Sequence, residues 1–482
     1  MARRSSYQSI LGDSWHDGSG TVTFSFLDAD MPGYNRAVDT DGDGIKDAWR
    51  VGGGRVSFGN DFSMTASEQE MALRAVSAWN EVSGVNLQPG VIPGEGVGDV
   101  TFASTEFRDR FLFGFVSGFP DADDLGETAS RAGDVWINRN NRDQFIAGAG
   151  DEGGPVYGHT SWNTYLHELG HALGLYHPNE DPNNPRTSNQ YTVMSYAVHP
   201  EERGDGPGKQ AFPLTPMLWD IEAMQELYGA NTSTRSGDTV YFGDGGGARG
   251  ALEYQYASNA DNARGMQVKG EDGRYRDVIL TIWDAGGQDL IDASGLSTNS
   301  RINLRPGSYS SIGEIDNNIA MASAVRQDSA VINFIEDAWG GSGHDRLRGN
   351  GADNSLLGQG GRDRLVGGGG NDQLDGGAAR DRLLGGAGDD QLDGGTGRDV
   401  LTGGRGTDVF VFSAGVDRVR DFTVGKDRID LATATGITDF QNLSDSHMRA
   451  RNGHVVIEDD TGDILILRHQ EIGDLGAEDF LF

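Results

Sequence analysis

Residues 340–411 read GGSGHDRLR, GNGADNSLL, GQGGRDRLV, GGGGNDQLD, GGAARDRLL, GGAGDDQLD, GGTGRDVLT and GGRGTDVFV, eight nonapeptides in unbroken succession. Glycine opens each one, an acid or amide holds the sixth place, and an apolar residue holds the eighth. These 72 residues contain 23 glycines and no proline, so period and composition both exclude collagen. A flexible glycine-rich linker is the weaker reading, because linkers do not keep leucine in register. Glycine permits the backbone angles of a tight turn and leaves carbonyl oxygens exposed. Each turn then adds one carboxylate, and stacked turns offer a hard cation a cage of oxygens. Leu347, Leu365, Leu374, Leu383, Leu392 and Leu401 supply short strands and a thin core. Asn354 replaces the acid of the second repeat and Ala379 a glycine of the fifth, which weakens those two turns as cation sites.

This pattern resembles the RTX calcium repeat, G-G-x-G-x-D-x-U-x, which builds a parallel β-roll. The resemblance implies calcium held by Asp345, Asp363, Asp372, Asp381, Asp390, Asp399 and Asp408. The turn glycines Gly341, Gly343, Gly368, Gly370, Gly386, Gly388, Gly395, Gly397, Gly404 and Gly406 would contribute carbonyls. Without calcium the carboxylates lack counter-ions and the thin core cannot fold the roll alone, so binding is expected to drive folding.

At 482 residues the chain exceeds one ordinary core, which predicts two domains. Its net charge of −34 argues against nucleic acid and anionic membrane surfaces as partners. It carries no cysteine, so disulfides and thiolate metal sites are both excluded. No apolar run reaches the length that spans a membrane, and "MARRSSYQSILGDSWHD" at 1–17 lacks the apolar core of a secretory signal.

Up to about residue 238 the pattern is that of a mixed α/β domain. "TASEQEMALRAVSAWNEVSG" reads as an amphipathic helix with a Thr65–Glu68 capping box and Leu73, Val76 and Trp79 on one face. "TVTFSF", "FLFGFV" and "AGDVWIN" read as strands. "TPMLWDIEAMQELYGAN" reads as a second helix, with Pro216 early and Gly229 past its end.

Between them, residues 166–178 read "LHELGHALGLYHP", crowding three of the chain's ten histidines around a glutamate. On a helix, His167 and His171 stand at i and i+4 and share one face, with Glu168 one residue round. Gly174 can end the helix in a left-handed conformation, turning the chain so that His177 returns as a third nitrogen ligand. Three neutral imidazoles with an open position suit a catalytic zinc. Such a metal lowers the pKa of its water to about 7, and Glu168 is placed to take that water's proton.

The extended spacing H-E-x-x-H-x-x-G-x-x-H, with Met194 in "YTVMSYA", resembles the metzincin metalloproteases and their Met-turn. Pro178, Tyr196 and the nonapeptides narrow the resemblance to the serralysins. It implies an α+β metzincin-type catalytic domain, residues 1–238, with a mixed sheet and an active-site helix. An all-β parallel β-roll calcium domain follows, residues 239–482. The implied activity is that of a secreted zinc endopeptidase of broad specificity. His167, His171 and His177 would bind zinc, Glu168 would be the general base, and Met194 the floor beneath the metal. Tyr196 would be a further zinc ligand that swings away to bind the oxyanion. Peptide substrate would lie along an edge strand, for which "FLFGFVSGFP" at 111–120 is the candidate, against the competing reading of a buried strand.

The resemblance also implies calcium at the start of the roll, on Asp284, Gly286, Gly287, Asp289 and Glu336 with carbonyls of Arg235, Gly237 and Thr239. "DTDGDGIKD" places Asp39, Asp41, Asp43 and Asp47 at EF-hand-like spacing. Arg50 takes the twelfth position where a glutamate is expected, so an extra calcium loop and a solvated acidic turn stand as equal readings. The ending "EDFLF" is similar to the C-terminal signal of serralysins, which a bacterial type I secretion apparatus reads; that explains an extracellular protein without an N-terminal signal. A monomer is expected, with a small proteinaceous protease inhibitor as a further implied partner. The alternative is a calcium-dependent adhesin or scaffold whose metal centre has lost activity.

Overall fold

The structure is a computed structural model, and it describes residues 21–27, 50–51, 54–55, 63–91, 99–105, 114–117, 134–138, 160–178, 188–197, 213–243, 267–269, 275–277, 279–313 and 316–482. The chain divides into two compact units. The first holds the residues up to Thr234 together with Gln267–Trp283; the second begins at Arg235 and includes Asp284–Phe482. The division therefore falls four residues before the boundary at 238 read from the sequence, and Gln267–Trp283 packs with the first unit.

In the first unit five strands form one sheet: β1 (Thr21–Phe26), β2 (Asn86–Pro89), β3 (Val100–Thr105), β4 (Gly114–Ser117) and β5 (Asp134–Asn138). Their order is β2-β1-β3-β5-β4; the first four run parallel and β4 is antiparallel at the edge. The sheet is mixed, as expected, and the edge position of β4 agrees with the edge reading of 111–120. Residues 111–113 and 118–120 lie outside the described residues.

Helix α1 (Ala66–Val82) starts at a closed capping box. The Glu68 backbone N–H donates to Thr65 Oγ1 at 3.3 Å, and Glu68 Oε2 accepts from the Thr65 N–H at 2.7 Å. Its buried stripe is Met71, Ala72, Ala75, Val76, Ala78, Trp79 and Val82. Leu73, assigned to that face by its spacing, is 44% exposed. A run of i+3 steps drifts by about 60° per step on a helix of 3.6 residues per turn, so Val76 reaches the edge of the stripe, which is centred between Ala75 and Trp79, and Leu73 falls beyond it.

Helix α2 (Thr160–Ala172) packs on β4, β5 and α1. Helix α3 (Leu218–Tyr228) is capped at Met217, so Pro216 stands just outside it rather than in its first turn. Gly229, with φ +78°, closes it as expected, its N–H donating to the Gln225 carbonyl at 2.9 Å.

In the second unit two parallel ladders are built from alternate nonapeptides. Leu347, Leu365, Leu383 and Leu401 are register partners in one ladder; Leu356, Leu374, Leu392 and Phe410 are partners in the other. One coil thus takes 18 residues. All eight side chains are buried, each worth roughly 1.5–3 kcal/mol of transfer. Coils stack so closely that a Cβ on Gly397 would run into the carbonyl oxygen of Ala379. Ala379 itself is held at φ +92°, a conformation that suits the glycine it replaces.

The ladders continue beyond the repeats, to Val240–Phe242, Leu290–Asp292 and Asp337–Trp339 on one side and to Val416–Val419 and Ile464–Arg468 on the other. The ending is part of this fabric: Phe480–Leu481 pairs parallel with Ile429–Asp430. Among the described residues no helix is long and apolar enough to cross a membrane.

Candidate metal centre

Helix α2 ends in a Schellman turn. The Gly174 N–H donates to the His171 carbonyl and the Leu175 N–H to the Gly170 carbonyl, both at 2.9 Å, with Gly174 at φ +97°. The reversal brings His177 back to the helix face that carries His167 and His171. The three Nε2 atoms form a triangle with sides of 2.9, 3.0 and 3.1 Å.

Two of these rings have their tautomer set by the backbone. His167 Nδ1 donates to the Val193 carbonyl at 2.8 Å and His171 Nδ1 to the Leu175 carbonyl at 2.6 Å. Their Nε2 atoms therefore present lone pairs to each other at 3.1 Å, which repel unless a cation shares them. Nitrogens bound at roughly 2.0–2.1 Å to one ion are separated by about this much, so the trio fits zinc. Burial, the largest cause, lowers the His167 pKa to about 4 and holds His171 well below its usual range, which keeps both rings neutral and ligand-ready.

Glu168 is 7% exposed and burial pushes its carboxyl up to about 8. A divalent cation in the neighbouring trio would draw that value down, since an adjacent positive charge favours the carboxylate. The Tyr196 ring lies 5.2 Å from the His167 ring and 4.6 Å from the His177 ring, and its side of the trio is open, with the residue 66% exposed. Met194 is fully buried beneath α2. A Cβ on Gly170 would sit 2.7 Å from Met194 Sδ, so glycine at this position lets the methionine turn reach the helix between the two histidines.

The roll shows a second kind of site. Asp363, Asp372, Asp381, Asp390 and Asp399 are buried, and each Oδ1 accepts the backbone N–H of the residue 18 earlier in the chain. Each Oδ2 has no hydrogen-bond partner. Burial raises Asp363, Asp372 and Asp381 to about 7 and Asp390 and Asp408 to about 6, and raises Asp345 and Asp399 as well. Buried, acceptor-only oxygens in a column fit a hard cation. Gly368, Gly370, Gly386, Gly388, Gly395, Gly397, Gly404 and Gly406 all have positive φ in these turns, whereas Gly341 and Gly343 do not and pack against the carbonyls of Leu296 and Thr298.

Asn354 breaks the column. Its Nδ2 donates to the Glu336 carbonyl and its Oδ1 accepts the Asn350 N–H, both at 2.8 Å, so it adds no unpartnered oxygen to the column. At the start of the roll Asp284, Asp289 and Glu336 come together. Asp284 accepts from Tyr241 Oη at 2.6 Å, Asp289 Oδ1 from the Thr239 N–H at 2.8 Å, and Glu336 from the Asp289 N–H at 3.0 Å. Burial raises these three to about 6, 8 and 7, and Asp289 Oδ2 is left without a donor. Gly287, at φ +140°, packs on Gly237, and Gly286 is at φ +132° beside them. Asp39, Asp41, Asp43 and Asp47 lie outside the described residues.

A family model described as "Peptidase M10 serralysin C terminal" matches residues 230–465. A serralysin of Proteus mirabilis is 32% identical over 315 residues, 62% of this chain and 57% of that protein. Serralysin C of Dickeya chrysanthemi is 37% identical over 227 residues, 45% of this chain and 40% of that one. The chain is similar to the serralysins. It spans about half the length of the curated serralysins it matches. A solved subunit of the Azotobacter vinelandii mannuronan C5-epimerase matches 27% of this chain and 79% of its own length, at 27% identity and a TM-score of 0.18, a likeness that carries no weight for the fold.

Two features of this serralysin-like chain were not read from its sequence. Asp220, fully buried on α3, accepts from Thr192 Oγ1 at 2.5 Å, from the Val193 N–H at 2.8 Å and from the Met217 N–H at 2.7 Å. It thereby anchors Val193, whose carbonyl orients His167, on both sides: directly at its N–H, and through Thr192 Oγ1, which accepts the Met194 N–H of the carbonyl's own peptide at 3.0 Å; burial raises the Asp220 carboxyl to about 7 against those hydrogen bonds. The aspartate column also runs past the repeats, since the Asp399 N–H donates to Asp417 Oδ1 and the Asp408 N–H to Asp427 Oδ1. The 18-residue step would have found Asp417; an inserted residue hides Asp427.

Proposed function

We propose that this chain is a secreted zinc endopeptidase that hydrolyses peptide bonds of extracellular proteins with broad specificity. The observation that carries the reading is the Nε2 triangle of His167, His171 and His177, two of whose rings are committed through Nδ1 to backbone carbonyls. Zinc held there would supply Lewis acidity toward the scissile carbonyl and toward water. Glu168, buried beside the trio, takes a proton from the attacking water onto its carboxylate. Tyr196 offers its phenol from the exposed side, as a further zinc ligand at rest and as a hydrogen-bond donor to the developing oxyanion. Strand β4 ends the sheet order, with no partner on its outer side among the described residues, and α2 packs against it; an extended peptide added there would run past the trio.

Calcium in the aspartate columns of the roll is structural in this reading, and Asp284, Asp289 and Glu336 hold it at the first coil. Export by a type I secretion apparatus would deliver the chain to calcium-rich surroundings as a monomer, where a small proteinaceous inhibitor is a further partner. The test is casein digestion by the calcium-loaded protein before and after treatment with a zinc chelator. Loss of hydrolysis on chelation and recovery on adding zinc supports the peptidase. No hydrolysis by protein that carries zinc leaves the scaffold reading in its place.

A further inference from the structure

The 18-residue coil sorts the side chains of the repeats by charge. Of the eight arginines in residues 340–411, seven belong to the first, third, fifth and seventh nonapeptides, and Arg405 is the exception. The four aspartates outside the sixth place, Asp353, Asp375, Asp389 and Asp393, all belong to the second, fourth and sixth. Alternate nonapeptides face opposite flanks, so one flank is basic and the other is acidic and amide-rich.

On the basic flank Arg301, Arg346, Arg364 and Arg382 are direct register partners on adjacent parallel strands. Arg362 and Arg380 form a second column two residues earlier in each coil. These six arginines line one open groove of about 750 Å³, outnumbering its three carboxylates, Asp316 and the buried Asp345 and Asp363. All six are exposed, and none makes an ion pair with a carboxylate among the described residues. Like charges stacked directly across a ladder oppose one another, so the column is a standing frustration that a polyanion would relieve. The chain as a whole is strongly acidic, yet at physiological salt charges beyond about 8 Å are screened and the local sign governs what docks.

The spacing selects the partner. Adjacent strands present their arginines about 4.8 Å apart. An acidic peptide shows like-facing side chains about every 6.8 Å and falls out of step with the rungs. A single-stranded nucleic acid needs aromatic platforms for successive bases, and a single aromatic, Tyr309, stands beside the arginine column among the described residues. A 1,4-linked polyuronate turns successive carboxylates to different sides, so it can spread them over both arginine columns, and its stiff rings lose less conformational freedom on docking than a peptide does. Each guanidinium can then take one carboxylate in a bidentate pair.

We propose that this arginine ladder is a docking surface for a linear acidic polysaccharide of the polyuronate class. The inference is independent of the peptidase reading, because no residue of the metal centre takes part. The test is calorimetric titration of the full, calcium-loaded chain with oligogalacturonates of increasing length, with poly-glutamate, neutral dextran and oligodeoxythymidylate as comparison probes. Affinity should rise up to about four sugar units, matching the four in-register rungs, and should fall with salt. The triple variant R346Q/R364Q/R382Q should bind at least tenfold more weakly with a shallower salt dependence, while R346K/R364K/R382K, which keeps the charge and loses the fork, should fall between. Circular dichroism of both variants checks that the roll is retained. Equal binding of poly-glutamate, tighter binding of oligodeoxythymidylate, or unchanged affinity in a folded triple-Gln variant would overturn the proposal.

Discussion

Replacing Asp220 tests whether the methionine turn positions the histidine trio. In Asp220→Ala the buried N–H groups of Val193 and Met217 lose their acceptor, and Thr192 Oγ1 loses the oxygen it donates to. Each buried donor left unpaired costs about 1–3 kcal/mol, so the first unit should lose about 3–5 kcal/mol. Val193 then loses its anchor at its own N–H and, through the unmoored Thr192 hydroxyl, at the Met194 N–H, so the carbonyl that orients His167 is no longer held. Loss of such an outer partner weakens metal binding by about 10–100-fold. Asp220→Asn should behave differently. Its remaining oxygen can still accept both N–H groups and its amide can donate to Thr192, leaving only the threonine hydroxyl to find a new acceptor, for about 1 kcal/mol. Competition with a chromophoric zinc chelator gives the affinities, and thermal melting followed by circular dichroism gives the stabilities. If Asp220→Ala stays folded and binds zinc as tightly as the parent chain, Asp220 does not act through Val193, and the positioning argument is wrong.

The remaining predictions concern the roll. Ala379→Gly should stabilise the calcium-loaded roll by about 1 kcal/mol, because φ +92° strains alanine and not glycine; differential scanning calorimetry should show a rise of a few degrees, and a fall would contradict the strain. The aspartates that burial raises to between about 6 and 7 bind protons more tightly folded than unfolded, so the calcium-free roll should be most stable below about pH 4. That stability should be lost as pH rises through 7, and saturating calcium should remove the slope. Chelated protein that gains stability between pH 4 and 7, read by urea titration, would refute the assignment of those carboxylates as uncompensated.

Legibility in the sequence followed the range of the interactions. The histidine trio was readable because a helix fixes i and i+4 on one face and Gly174 announces where the helix stops; both are local. The roll was readable from its period of nine, but the coil of 18 was not, since the two sheets differ only in which flank each nonapeptide faces. That one missing step concealed both Asp417 and the segregation of arginine from aspartate. Leu73 misled because three i+3 positions look like a face and drift off it. Asp220 gave no local signal at all: an acid in the first turn of a helix is an ordinary surface residue, and its burial against the methionine turn exists only in three dimensions.

The central claim rests on a metal held by three imidazoles with Glu168 as its proton acceptor, and one paired measurement reaches it directly: elemental analysis and casein turnover on the parent chain and on Glu168→Ala. The account predicts one zinc per chain in both proteins and a loss of turnover on the order of 10²–10⁴-fold in the variant. A parent chain purified from zinc-replete medium without zinc, or a zinc-loaded variant that digests casein as fast as its parent, would contradict it.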